Sequence, residues 1–121
     1  MSALYTQHTP AVVARNRLAL LDSTSATTLL TFTPAVSGLY QVGVAGTVQT
    51  AATTVTVAVT YTDSVTQAGA TLTLINAVSE AVGPISAQGY IAAQAGAAVT
   101  ITATAGTANQ VTLSPVVTAL P

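Results

Sequence analysis

The chain has 121 residues and a mass of 12.0 kDa, which suits a single domain. Half of its residues are apolar and only 4% are charged, a balance that excludes a disordered chain and the basic surface needed to bind nucleic acid. The formal net charge of −1 gives little repulsion between copies, so we expect another subunit to cover part of the surface. The alternative is a monomer whose surface is solvated by hydroxyl and amide groups.

The first segment, residues 1–26, differs in composition from the rest, and we interpret it as an N-terminal arm or first strand. In an extended segment Arg15 and Arg17 point the same way. Together with Tyr5 they are candidate contacts to a neighbouring subunit. The alternative is that the two arginines pair loosely with Asp22 or face water.

From residue 27 to residue 121 the chain alternates apolar and polar residues with a period of two. This pattern is typical of antiparallel strands with one face on a core and the other toward water or a partner. Turn residues separate seven predicted strands, at about 28–33, 39–49, 53–62, 70–76, 85–93, 97–104 and 110–120. The fold class we predict is all-β, an antiparallel β-sandwich of the jelly-roll type.

The predicted strand at 39–49 has two different faces. Its core face carries the larger apolar side chains, namely Tyr40, Val42, Val44 and Val48. The other face is smaller and flatter, and its residues are candidate subunit contacts: Leu39, Gln41, Gly43, Ala45 and Thr47. Small residues allow close backbone approach. An ordinary solvated face with tolerated glycines fits the same pattern.

Residues suited to catalysis or to holding a cofactor are scarce. The single histidine, His8, lies in the predicted arm, and no serine has the setting of a catalytic nucleophile. The three acidic residues, Asp22, Asp63 and Glu80, lie in separate predicted loops, which disfavours paired-carboxylate chemistry. Without cysteine and with one histidine, a transition-metal site is not expected. We therefore predict a protein that is not an enzyme and binds no cofactor or metal.

Three segments resemble the jelly rolls of the tumour-necrosis-factor-like and C1q-like families. TFTPAVSGLYQVGVAGTVQ at 31–49 is similar to their strand entry, in which Phe and Gly-Leu-Tyr precede a long alternating strand. YIAAQAGAAVTITATAG at 90–106 and LSPVVTALP at 113–121 are similar to a later strand and to the closing strand. The resemblance implies a jelly roll packed as a homotrimer about a threefold axis. Ala97 replaces the acidic residue that commonly follows the turn glycine, so the calcium and receptor binding of the animal proteins are not implied.

The chain also resembles small Thr/Ala/Val-rich domains of bacteriophage structural proteins, over Leu29 to Tyr40, Thr54 to Asp63 and Ala92 to Thr102. This resemblance implies a virion protein, first of all a capsid decoration or cement protein. Its partners would be further copies of itself and a major capsid or tail protein. We expect it to be made in the host cytoplasm and located in the virion, because the N-terminus lacks the pattern of a signal peptide.

Two alternatives remain for the function. One is a phage tail or fibre module that binds a receptor or a carbohydrate, although such modules use more exposed aromatic residues than this chain contains. The other is an ice-binding surface, suggested by Thr-x-Thr runs at 54–56, 71–73 and 100–104. Sheet twist opposes the flat array that such a surface needs. No apolar run is long enough for a membrane-spanning helix, so no membrane partner is expected.

Overall fold

The computed structural model describes residues 11–120, apart from the side chains of residues 77–79. These residues form nine strands: β1 (Ala11–Arg15), β2 (Ala19–Leu20), β3 (Thr27–Phe32), β4 (Gly38–Val48), β5 (Thr53–Thr62), β6 (Gly69–Glu80), β7 (Gly83–Ala93), β8 (Val99–Ala105) and β9 (Val111–Ala119). None of the described residues forms a helix, so the prediction of an all-β fold is confirmed. The described chain accordingly contains no helical segment capable of crossing a membrane.

The strands form two antiparallel sheets that pack face to face. Sheet A has the order β1-β9-β4-β7, with β2 also beside β9, and sheet B has the order β3-β8-β5-β6. The chain therefore pairs from its ends inward: β1 and β2 with β9, β3 with β8, β4 with β7, and β5 with β6. A long hairpin rolled into two sheets in this way is a jelly roll. The predicted antiparallel sandwich of the jelly-roll type is confirmed.

The core lies between the two sheets and consists of the inward side chains of alternating residues. The predicted core face of β4 is buried: Tyr40, Val42, Val44 and Val48. In β5 the alternation places Val55, Val57 and Val59 inside, each with no exposed surface. Each fully buried side chain of this size contributes about 1.5–3 kcal/mol relative to an exposed one. Thr56 and Ala58, which alternate with these valines, point outward.

The seven predicted strands correspond to β3 through β9, and the largest difference in length is in β6. This strand was predicted to end near residue 76 but continues to Glu80, which pairs with Thr53 of β5. The β5–β6 ladder has two register irregularities, and each of them shifts the inside–outside alternation. The period-two pattern breaks there although the strand continues. The sequence analysis placed Glu80 in a loop, and this prediction was wrong, because Glu80 is the last residue of β6.

Candidate functional site

The five candidate contact residues of β4 lie together on the outward face of sheet A. Leu39, Ala45 and Thr47 are exposed and Gln41 is half-buried, whereas Gly43 is covered by its neighbours. Because β4 is an inner strand, β9 on one side and β7 on the other extend this face. The structure therefore brings the five predicted residues onto one continuous surface. That they contact another subunit stays a prediction.

Gly43 lies at the centre of a shallow depression in this face. It is opposite Val116 of β9 and Gln88 of β7 in the two ladders. A Cβ at this position would lie 3.3 Å from the Ala87 carbonyl oxygen, 3.5 Å from the Gln88 Cβ and 3.8 Å from the Val116 Cγ1. A methyl group therefore fits after a small adjustment, while a longer side chain would fill the depression and project from it. Glycine therefore leaves the depression in the middle of the face open.

Large exposed apolar side chains surround this centre, and of these only Leu39 was a predicted contact residue. β1, β2 and β7 contribute them to the same face, together with β4. Four are large and well exposed: Val12 (55%), Leu20 (43%), Leu39 (48%) and Tyr90 (57%). Beside Tyr90, the Gln41 Nε2 donates a hydrogen bond of 2.6 Å to the Gln88 Oε1, so two polar side chains satisfy each other. Alternation alone marks these residues as outward, but only the strand order shows that they share one surface.

Arg15 is a charged side chain at the edge of this face. It is the last residue of β1 and lies opposite Val116, at the edge of sheet A. Arg17 follows two residues later, and both arginines are exposed. Tyr5, the third candidate arm contact, lies outside the described residues. The two arginines thus belong to the edge of the sandwich itself.

The edge strand is interrupted between β1 and β2, opposite Pro115 of β9. Proline has no N–H to donate to a neighbouring strand, so the ladder breaks at this point. Asn16 bridges the break: its N–H donates to the Pro115 carbonyl oxygen (3.2 Å) and its Nδ2 to the Leu29 carbonyl oxygen (3.0 Å). The Ser114 Oγ donates to the Asn16 carbonyl oxygen (2.7 Å). The break leaves a recess lined by Asn16, Ser114 and the two neighbouring arginines.

The outward face of sheet B has a different composition, and we call it the threonine face. Its threonines come from all four strands: Thr28, Thr31, Thr56, Thr60, Thr71, Thr73, Thr100, Thr102 and Thr104. The pairing registers align them in rows, one of which runs through Thr31, Thr100, Thr60 and Thr71 without interruption. Cross-strand threonine pairs stabilise the sheet while their hydroxyl groups remain solvated. Ala58 and Asn76 interrupt the other rows.

The acidic side chains of the described residues lie in separate places. The Asp63 carboxylate accepts hydrogen bonds from the Val65 N–H (3.1 Å) and from the Thr66 hydroxyl (3.2 Å) in its own turn. Asp22 is exposed just after β2, and Glu80 ends β6. Within residues 11–120, no three His, Cys, Asp or Glu side chains come close enough together to hold a metal ion.

No protein-family model and no curated protein matches the sequence. Among solved structures, the chain is similar to the CBM22-1 and GH10 modules of Clostridium thermocellum xylanase 10B in complex with xylohexaose. The identity is 17%, the alignment covers 74% of this chain and 18% of the xylanase chain, and the TM-score is 0.43. At this level the likeness bears on neither the family nor the function of this chain.

Proposed function

We propose that this chain is a non-catalytic structural protein of a bacteriophage virion, which forms a homotrimer and decorates the capsid. The observation that carries the proposal is the composition of the outer face of sheet A. Its centre consists of small residues, four exposed apolar side chains surround that centre, and Arg15 and Arg17 lie at its edge. Association of such a surface removes apolar area from water. Large exposed apolar patches on soluble proteins mark interaction sites.

The contrast between the two outer faces supports this assignment. Both sheets cover the same core, so the folding of the chain does not require their outward faces to differ. The outward face of sheet B carries threonines, whose hydroxyl groups are solvated, while the outward face of sheet A exposes Leu39, Tyr90 and Val12 to solvent. We therefore assign sheet A to a protein partner and sheet B to the solvent side of an assembly.

The virion is proposed because of the sequence resemblance to phage structural domains and the low charge of the chain. A decoration protein binds at many equivalent places on a capsid, so weak contacts at each place become collectively strong. A trimer supplies three such contacts at once. No catalytic step is needed for this role, because the protein acts by adding buried area across junctions between capsid subunits.

The oligomeric state of a charged variant tests the role of the sheet A face. Ala45 is exposed and already carries a Cβ, so Ala45→Arg places a charge at the centre of the face without disturbing the fold. The matched control is Thr60→Arg, which is also an exposed inner-strand position, on the threonine face. These positions are cleaner than Gly43, because they already carry a Cβ and need no adjustment of the Ala87 carbonyl oxygen, which would lie 3.3 Å from a Cβ at Gly43.

Light scattering should give a mass three times 12.0 kDa for the unmodified protein and for Thr60→Arg. Ala45→Arg should give the mass of a monomer, because a buried unpaired arginine is strongly unfavourable. A trimer that tolerates Ala45→Arg would show that this face is not the subunit contact. Co-sedimentation with empty capsids of the parent phage then tests the decoration role directly.

The role of the arm requires a deletion that respects the fold. Residues 11–15 and 19–20 are strands of sheet A, so a deletion of residues 1–20 would remove part of the sandwich. Deletion of residues 1–10 leaves both strands in place. We expect this variant to fold and to lose capsid attachment, and an arm-less protein that still saturates capsids would refute a role for Tyr5 in attachment.

A second candidate function, ice binding, is favoured by one observation, the alignment of threonines into rows on sheet B. The uninterrupted row repeats a methyl and a hydroxyl group at the strand spacing of about 4.8 Å. The four-threonine row from Thr31 to Thr71 crosses the whole sheet. Thermal hysteresis of the unmodified protein tests this function. Ice growth that is unaffected by high protein concentration would eliminate it.

A further inference from the structure

We infer that copies of this chain meet head to tail, with Arg15 and Arg17 of one copy paired to Glu80 of the next. The inference rests on the proposed self-association and adds which edge of one copy meets which edge of the next. It follows from the positions of the few charges in the sandwich, which lie on opposite sides of sheet A.

All of the lysine and arginine charge of the chain lies at one edge of sheet A. The sequence contains two such residues, Arg15 and Arg17, and both are exposed at the break in the edge strand. The hydrogen bonds that hold this segment use the Asn16 side chain and the Arg17 main chain, not the guanidinium groups. The two side chains are therefore free of a structural role that would occupy their donors within the described fold.

Glu80 lies beside the opposite edge of sheet A. The edge strand there is β7, and Glu80 is the last residue of β6, which a two-residue turn connects to β7. A groove between the two strands is lined by Glu80, Ile75, Pro84 and Ser86, among others. One acidic group with apolar neighbours thus marks this side, as the arginines mark the other.

The other two acidic residues are less suited to the pairing. The Asp63 carboxylate already accepts two hydrogen bonds within its own turn. Asp22 follows β2 and so lies on the same side of the sandwich as Arg15 and Arg17. It could meet those arginines across a twofold axis, where one surface contacts itself. A ring of three needs two different surfaces in contact, and Glu80 supplies the second.

Exposed ion pairs contribute little affinity individually, so their expected effect is on the direction of assembly. Apolar contact between faces is not directional, and a uniform apolar surface would permit several arrangements. Opposite charges at the two edges favour the arrangement in which unlike edges meet. They also disfavour the one in which the two arginine edges meet.

Charge reversal with rescue tests the inference. The variants are Glu80→Arg, the double variant Arg15→Glu/Arg17→Glu, and the triple variant that combines all three changes. Asp22→Arg is the matched control for a reversal on the arginine side. The readout is the concentration at which half of the trimer dissociates, measured by sedimentation velocity over a dilution series in low salt, where ion pairs are least screened.

We expect Glu80→Arg and the double variant each to raise the half-dissociation concentration roughly tenfold, since three interfaces lose an ion pair and gain repulsion. The triple variant should return close to the unmodified value, which a folding defect at Glu80 would not allow. Asp22→Arg should change little.

If the charge reversals leave the half-dissociation concentration of the trimer unchanged, the ion pairs are refuted and the proposed self-association stands. Weakening by Asp22→Arg in place of Glu80→Arg would overturn Glu80 as the partner of the two arginines. An unmodified protein that is monomeric throughout the series would overturn the self-association and the ion pairs together.

Discussion

Replacing Gly46 by alanine should destabilise the sandwich far more than the same change at Gly43 in the same strand. Gly46 lies opposite Leu113 of β9, and the position that a Cβ would take is against the β9 main chain. A Cβ there would collide with the Thr112 carbonyl oxygen and would lie 2.7 Å from the Thr112 carbonyl carbon and 3.0 Å from the Leu113 Cα. These are main-chain atoms in a paired strand, so they yield only if β9 itself moves.

The expected magnitude follows from two opposing effects. Replacing glycine by alanine reduces the entropy of the unfolded chain and stabilises by about 0.4–1 kcal/mol where the folded state accepts the Cβ. Overpacking costs about 1–3 kcal/mol, and more when backbone must shift. For Gly46→Ala we therefore expect a net loss of about 2–3 kcal/mol, because the shift of β9 also displaces the fully buried Leu113. For Gly43→Ala, whose nearest contact is 3.3 Å, the two effects nearly cancel.

Urea unfolding of the two variants at one fixed protein concentration measures this difference. With an m-value of about 1.5 kcal/mol/M for a domain of this size, Gly46→Ala should lower the midpoint by roughly 1.5 M. Gly43→Ala should stay close to the unmodified midpoint. Equal midpoints for the two variants would refute the reasoning, since they share the unfolded-state effect and differ only in the space around the Cβ.

Two further predictions concern single hydrogen-bonding side chains. The Gln110 Oε1 accepts hydrogen bonds from the Thr50 N–H, the Thr50 hydroxyl and the Ala51 N–H, so Gln110→Ala should cost about 1–2 kcal/mol in urea unfolding. Gln110→Glu retains an acceptor and should recover most of that loss at neutral pH. The buried Tyr40 hydroxyl donates to the Val36 carbonyl oxygen at 2.6 Å, so Tyr40→Phe should cost about 1 kcal/mol. A Phe variant as stable as the unmodified protein would mean that water satisfies the Val36 carbonyl equally well.

The strands and their faces were predictable because each depends on a short stretch of sequence. Alternation along β4 separated Tyr40 and Val42 from Gln41 and Gly43, and the structure buries the first pair and turns the second outward. In β5 the same alternation placed every valine correctly. Local pattern failed in β6, where two irregularities in pairing with β5 restart the alternation before Glu80.

The assembled surface was less predictable, because it depends on which strands are neighbours. Tyr90 and Gln41 are far apart in sequence and lie side by side on this face only because β7 pairs with β4. Val12 joins the same face through β1 and β9, at the other side of the sheet. The alternation in one sequence indicates which residues of each strand point outward. It does not indicate which strands are neighbours or in which register they pair. The candidate site could therefore be found on one strand, but its extent could not.

The interrupted edge opposite Pro115 limits the ways in which an assembly can grow. An intact edge strand offers a continuous row of N–H and C=O groups onto which an extended chain can template. Here the row is divided into five residues of β1 and two of β2. Between them, the Asn16 N–H and carbonyl oxygen are already hydrogen-bonded to Pro115 and Ser114 of β9. A foreign strand finds no uninterrupted template on this side, so open-ended fibril growth is opposed there. Contact through side chains at this edge can instead close into a ring of defined size.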